Sequence, residues 1–252
     1  MVAHAAAAAL ILKLVFPRVG AARHRALVRW WSAKLLRIVG VATIVEGEPP
    51  ARGETGAMIA ANHISWLDIF AVSSVRPTRF IAKSEVRDWP LAGWIAERAG
   101  TIFIRRERRR DTARINDLVH EALARGDCVG LFPEGTTTEG DALLPFHSSL
   151  FEAAVANGAH VHPCAIRYEH PDGTPCRAMA YVGELSFMQS LGLVMRQRGV
   201  VARLRFAPVV EPAGLDRRAV AAAAEARIAS LLGVSMEGRA PRTPRGPPAA
   251  PP

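Results

Sequence analysis

The chain carries three cysteines, Cys128, Cys164 and Cys176, odd in number and without any CxxC pair. Neither a disulfide framework nor a zinc site is indicated, and a reducing, cytosolic setting is the default expectation. A long apolar run is also lacking. "AAAAALILKLVF" spans only Ala5 to Phe16 and carries Lys13, too short for a confident membrane span. A secretory signal has its positive charge first and a small-residue cleavage site last, whereas here Lys13 lies inside the run and a proline-arginine pair follows. The segment is expected to be a retained helix that dips into one leaflet. Absent too are a GxxxxGK(S/T) phosphate loop, a GxSxG elbow, an HExxH zinc helix and any internal repeat.

What is present begins with bulk and charge. Half of the 252 residues are hydrophobic, enough to bury a sizeable core in one large domain or two small ones. The formal net charge is +9 and the isoelectric point near 10.6. Such a balance calls for a negatively charged partner, and by itself leaves nucleic acid, anionic lipid and a phosphorylated substrate open. In "RHRALVRWWSAKLLRIVG", Arg25, Arg29 and Arg37 follow a four-residue period against Leu27, Trp30, Trp31, Leu35 and Ile38. Basic residues and tryptophans on an amphipathic helix suit a membrane interface. An ordinary helix packing its apolar stripe on a core fits equally, and one helix can do both along its length.

Beyond Gly40, short β-rich runs alternate with helical stretches. Strands are expected at Ala42 to Val45, Ala57 to Ala61, Arg79 to Ala82, Thr101 to Ile104, Cys128 to Phe132, His162 to Tyr168, Ala178 to Val182 and Val201 to Phe206. Helices are expected at Trp66 to Val75, Thr112 to Arg125, Ser149 to Asn157 and Asp216 to Leu232. This alternation predicts an α/β fold, a mostly parallel sheet flanked by helices, preceded by N-terminal membrane-associated helices. The division expected is 1–40 for those helices, 41–237 for the α/β domain, and 238–252 for a proline-rich tail with no periodicity to pack.

Within "ANHISWLDIF", His63 and Asp68 stand five residues apart in an otherwise mostly apolar segment. Positions five apart on a helix differ by about 140°, so the two cannot meet along a regular helix. If His63 lies in the turn before a helix starting near Ser65, the Asp68 carboxylate can reach back to the imidazole, as in a base held by an orienting acid. The same residues admit a plainer reading. Ser65-x-x-Asp68 before an apolar run is a helix-capping signature, with Asp68 favoured by the helix dipole.

Three short segments, each at the end of an expected strand, carry the remaining chemistry, and α/β sheets build ligand sites at strand ends. They are "NHISWLD", "GTIFIRR" from Gly100 to Arg106, and "FPEGTTTEG" from Phe132 to Gly140. Their order resembles that of the lysophospholipid acyltransferase family, which includes the 1-acylglycerol-3-phosphate acyltransferases. The resemblance runs over roughly residues 25 to 210. It rests on Asn62, His63 and Asp68, on Gly100, Phe103, Ile104, Arg105 and Arg106, and on Phe132, Pro133, Glu134, Gly135 and Thr136, with Lys83 and Pro163 also in place.

The resemblance implies acyl transfer from a thioester, acyl-CoA or acyl carrier protein, to a lysolipid hydroxyl, with no further cofactor and no metal. His63 is then the general base, since imidazole changes charge near neutral pH, and Asp68 fixes its tautomer. No enzyme nucleophile is needed, because the acceptor supplies the hydroxyl. Arg105 can grip a phosphate in two-pronged fashion, with Arg106 and Lys83 adding charge. A solvated charge run is the competing reading, since Arg108, Arg109 and Arg110 follow at once. Asn62, Glu134, Gly135 and Thr136 complete the implied substrate-binding set, with Glu134 on the glycerol part of the acceptor. Without the family, "PEGT" is simply a turn after a strand.

One departure bears on the acceptor. Family members acting on phosphate-bearing lysolipids often have arginine after the FPEGT block and lysine in the next "PF" segment, whereas this chain has Thr137 and His147. Lysophosphatidic acid ranks first as acceptor, with lyso-ornithine lipid as the alternative. The expected partners are therefore a lysolipid, an acyl thioester and anionic lipid at the cytoplasmic face of a membrane. A non-enzymatic membrane-surface or nucleic-acid binding protein is the rival class. It leaves the three ordered blocks unexplained, and the aromatics are not interleaved with the basic run as single-strand binding requires.

Overall fold

A computed structural model describes residues 20–83, 101–104 and 109–234. The apolar segment Ala5 to Phe16, Gly100, Arg105 and Arg106, and the tail from Gly238 lie outside the described residues. Helix α1 (Ala21–Ile38) leads into strand β1 (Val41–Glu46). Then follow β2 (Met58–Ala61), α2 (Asp68–Val75), β3 (Arg79–Lys83), β4 (Ile102–Ile104), α3 (Arg109–Ala124) and β5 (Val129–Leu131). The second half holds α4 (Glu152–Asn157), β6 (Val161–Glu169), α5 (Phe187–Arg196), β7 (Val200–Phe206) and α6 (Arg217–Leu232).

The strands form one seven-stranded sheet in the order β1-β7-β6-β2-β5-β3-β4. Every neighbouring pair is parallel except β6 and β7. Side chains alternate across a strand, and in β2 both directions are buried: Ile59 and Ala61 face one core, Met58 and Ala60 the other. The first core is closed by α1, α2 and α5 through Leu36, Val72 and Val194, and the second by α3, α4 and α6 through Val119, Ala153 and Ile228. A parallel sheet covered on both faces explains why its central strands read as continuous apolar runs.

α1 buries Ser32 and Leu36 and packs against α2, while Trp30 is 46% exposed with the Lys34 ammonium 4.8 Å from its ring centre. The core-packing reading thus describes the face that carries Leu36, while Trp30 and Lys34 stand on the outer face. No helix among the described residues is long and apolar enough to cross a membrane.

Three differences from expectation stand out. Ala178 to Val182 is not a strand: a 3-10 turn, Arg177–Met179, precedes chain that bonds to loops, with Tyr181 N–H donating to the Ile64 carbonyl at 2.9 Å. An apolar run buried among loops has the same pattern as a short buried strand. α5 was not expected, although Ser186 and Gln189 form a capping box at its start. That S-x-x-Q spacing is the signal that announces it. The stretch expected as one helix from Ser149 is a 3-10 turn, Ser148–Phe151, running into α4.

Candidate active site

β2 ends at Ala61, and the next side chain extends its pairing with β6. Asn62 Nδ2 donates to the Ile166 carbonyl at 3.0 Å, and Ile166 N–H donates to Asn62 Oδ1 at 2.7 Å. A side-chain amide replaces one more main-chain rung, which fixes where the chain leaves the sheet. The next residue is His63.

The chain then turns and α2 begins at Asp68, whose N–H donates to the Ser65 carbonyl at 3.1 Å. Asp68 is fully buried, and four donors converge on its carboxylate. Oδ2 takes His63 Nδ1 at 2.8 Å, Ile64 N–H at 2.7 Å and Ser65 N–H at 2.9 Å, while Oδ1 takes the Tyr168 hydroxyl at 2.7 Å. These are the partners a buried carboxylate anion needs. Ser65 Oγ is buried without a partner, so the hydroxyl half of the capping signature is unmade; its other half, carboxylate to Ser65 N–H, coexists with the imidazole bond.

A carboxylate can only accept, so His63 carries its proton on Nδ1 in the neutral ring and Nε2 holds the open lone pair. The His63 side chain is 20% exposed, against none for Asp68. Its ring lies on Phe132, and Phe132 in turn stacks on Phe80 with centroids 5.4 Å apart.

The loop after β5 clamps the main chain of His63 from both sides. Glu134 Oε1 accepts the His63 N–H at 2.8 Å and its Oε2 accepts Leu144 N–H at 2.8 Å, while Thr138 N–H donates to the His63 carbonyl at 2.8 Å. Gly135, at φ +77°, makes the tight turn that lets its N–H donate to the Phe132 carbonyl.

The structure thus gathers Asn62, His63, Asp68, Glu134, Gly135 and Thr136 at the ends of β2 and β5. Thr136 is exposed and Gly135 half-buried. Asn62 and Glu134, implied as substrate-binding, are buried, with the Asn62 amide and both Glu134 oxygens bonded to main chain. Their bonds hold the main chain around His63 in place. Lys83 closes β3 beside Ile104 of β4, and Arg105 and Arg106 lie outside the described residues. The Thr137 hydroxyl donates to the Tyr181 carbonyl. Tyr168 and the Phe132–Phe80 stack escaped the sequence reading; the one signal for Tyr168 is a polar-tipped ring inside an apolar strand.

A family model described as Acyltransferase matches residues 42–167, which include Asn62, His63, Asp68 and the loop from Phe132 to Thr138. The chain belongs to the acyltransferase family. Among relatives, this acyltransferase is 39% identical over 207 residues to the lyso-ornithine lipid O-acyltransferase of Pseudomonas aeruginosa, covering 82% of this chain and 78% of that one. It is 40% identical over 172 residues to the 1-acyl-sn-glycerol-3-phosphate acyltransferase of Neisseria meningitidis, covering 68% and 67%. The crystal structure of the 1-acyl-sn-glycerophosphate acyltransferase from Thermotoga maritima shares the fold, with a TM-score of 0.60 at 20% identity over 86% of this chain and 81% of that one.

Proposed function

We propose that this acyltransferase moves a fatty acyl group from an acyl thioester to the free hydroxyl of a lysolipid, with His63 as general base. The observation that carries the reading is a partly exposed imidazole whose Nδ1 is held at 2.8 Å by a fully buried carboxylate. The lysolipid hydroxyl gives its proton to Nε2 as its oxygen attacks the thioester carbonyl. The tetrahedral intermediate then expels the thiolate, which takes that proton from the imidazolium and leaves as thiol. Asp68 stabilises the imidazolium between the two steps. The thioester brings its own activation, so acyl-CoA or acyl carrier protein serves as substrate and no cofactor enters.

The acceptor has two readings. Lysophosphatidic acid comes first, because Lys83, Arg105 and Arg106 provide cations for a phosphate monoester. Lyso-ornithine lipid comes second. Thr137 supports it, being neutral and bonded to the Tyr181 carbonyl where a phosphate-gripping arginine is common, and so does the longer match to the Pseudomonas relative.

The lipid substrate brings the protein to a membrane. Exposed Trp30, Arg23, Arg25 and Lys34 on α1 and the net charge of +9 support peripheral docking on anionic lipid, and three free cysteines fit the cytoplasmic face. Flotation with anionic vesicles should weaken when residues 1–37 are deleted; equal flotation would place the anchor elsewhere.

The reading is tested by thiol release from acyl-CoA, with and without each of the two lysolipids, on the protein and on His63→Ala. Release should need a lysolipid and should fall on the order of 10²-fold to 10⁴-fold in the variant. Near wild-type turnover by a folded His63→Ala would overturn the mechanism.

A further inference from the structure

Tyr168 lies one residue beyond the stretch matched by the family model, on β6. Its hydroxyl donates to Asp68 Oδ1 across 100 positions of sequence, at 2.7 Å, with both residues buried. We propose that Tyr168 is a positioning residue for acyl transfer, which fixes the Asp68 carboxylate so that its other oxygen holds the His63 imidazole in working orientation.

Three observations carry this. Asp68 Oδ2 already serves His63 and two main-chain N–H groups, so the Tyr168 hydroxyl is what meets Oδ1 in an interior shared with Ala71, Cys164 and Ile166. Without it a buried carboxylate oxygen loses its donor, and the carboxylate loses the bond that stops it turning away from the imidazole. Second, β6 holds His63 from two sides, through the Ile166 main chain on Asn62 and the Tyr168 hydroxyl on Asp68. Ile166 and Tyr168 are two apart on one strand face, so one rigid element sets both neighbours of the base. Third, burial, and after it the Asp68 charge and hydrogen bond, push the Tyr168 hydroxyl well above its usual range. It therefore stays a donor throughout the working pH range.

Among the described residues, the titratable groups facing the His63–Asp68 pair are Tyr168 and Cys164 from β6 and Glu134 from the loop after β5. Removing the Tyr168 donor leaves more negative charge on the Asp68 oxygen that faces His63. That favours the imidazolium, so the acid limb of kcat/KM moves to higher pH.

The proposal rests on His63 as base, and the controls separate the two. If His63→Ala keeps its activity the base assignment fails; if His63→Ala is dead and Tyr168→Phe is normal, only the tyrosine assignment fails. Tyr168→Phe should lower kcat on the order of 10-fold to 100-fold, the scale set by losing one buried hydrogen bond to a carboxylate. The acceptor KM should hold and the acid limb should rise. In an Asp68→Asn background the same change should cost almost nothing further, because Tyr168 acts through Asp68. Normal turnover with an unmoved limb, even at a lowered melting temperature, would show a merely structural role and overturn the proposal. Should Tyr168→Phe fail to fold, the chain has only two tyrosines, Tyr168 and Tyr181, and fluorotyrosine labelling gives two assignable resonances. The Tyr168 resonance should titrate with the acid limb and stop doing so in His63→Ala. A resonance that ignores that titration overturns the proposal.

Discussion

The imidazole of His63 lies flat on the ring of Phe132, with centroids 3.9 Å apart and planes 6° from parallel. Phe80 continues the stack, and its neighbour in the sheet is Gly130 of β5. A Cβ on Gly130 would stand 2.6 Å from Phe80 Cε1 and 2.6 Å from Thr78 Cγ2, so the absent side chain is what admits the stack. Gly130→Ala should destabilise by about 1–3 kcal/mol through overpacking and lower kcat by pushing Phe80 toward Phe132. Thermal unfolding and thiol release measure both; an alanine variant with wild-type values would show that the stack has room to spare.

Glu134→Gln separates two roles. Its carboxylate receives the N–H groups of His63 and Leu144, and an amide must present a donor to one of them. The geometry predicts a stability loss of about 1–3 kcal/mol together with a fall in kcat. If Glu134 instead grips the acceptor, the acceptor KM rises and the unfolding midpoint stays put. Urea unfolding beside steady-state kinetics distinguishes them.

Head-group reading is addressed by Thr137→Arg with His147→Lys. Two added cations strengthen the field on a phosphate monoester, although the first change also removes the bond to the Tyr181 carbonyl. KM for lysophosphatidic acid should fall, and KM for lyso-ornithine lipid should hold or rise. Equal changes for both would show that these positions do not sense head-group charge.

Alkaline pH should weaken the fold. Burial raises the thiols of Cys128 and Cys164 and the hydroxyl of Tyr168, so the folded state keeps protons that the unfolded chain releases above about 8.5 for thiols and about 10 for tyrosine. The stabilisation is complete below the unfolded values and is lost as pH climbs toward the folded ones, by up to about 1.4 kcal/mol per group per pH unit. Urea midpoints should fall between neutral and strongly alkaline buffer. At neutral pH, Cys128 and Cys164 should resist a thiol reagent until unfolding; fast labelling of either would contradict the burial.

The layered α/β class, the strand ends that carry the site and the His63–Asp68 pair were legible in the sequence, because each depends on neighbours within a few residues. Alternating apolar runs mark strands, and a strand, a turn and a helix start within seven residues let the carboxylate either cap the helix or reach back to the imidazole, a choice that the resemblance carried by the three blocks tipped. What lay out of reach joins distant segments. Tyr168 meets Asp68 across 100 positions, Asn62 meets Ile166 across 104, and Glu134 meets His63 across 71. Sheet order brings these together, and local periodicity does not encode which strand lies beside which. The same reason hid the main-chain bonds of Asn62 and Glu134: a polar side chain near a motif has the same letter whether it faces a ligand or a neighbouring peptide group. Ala178 to Val182 shows the converse, since burial made it apolar and only the tertiary structure gave its main chain loops rather than a strand to bond with.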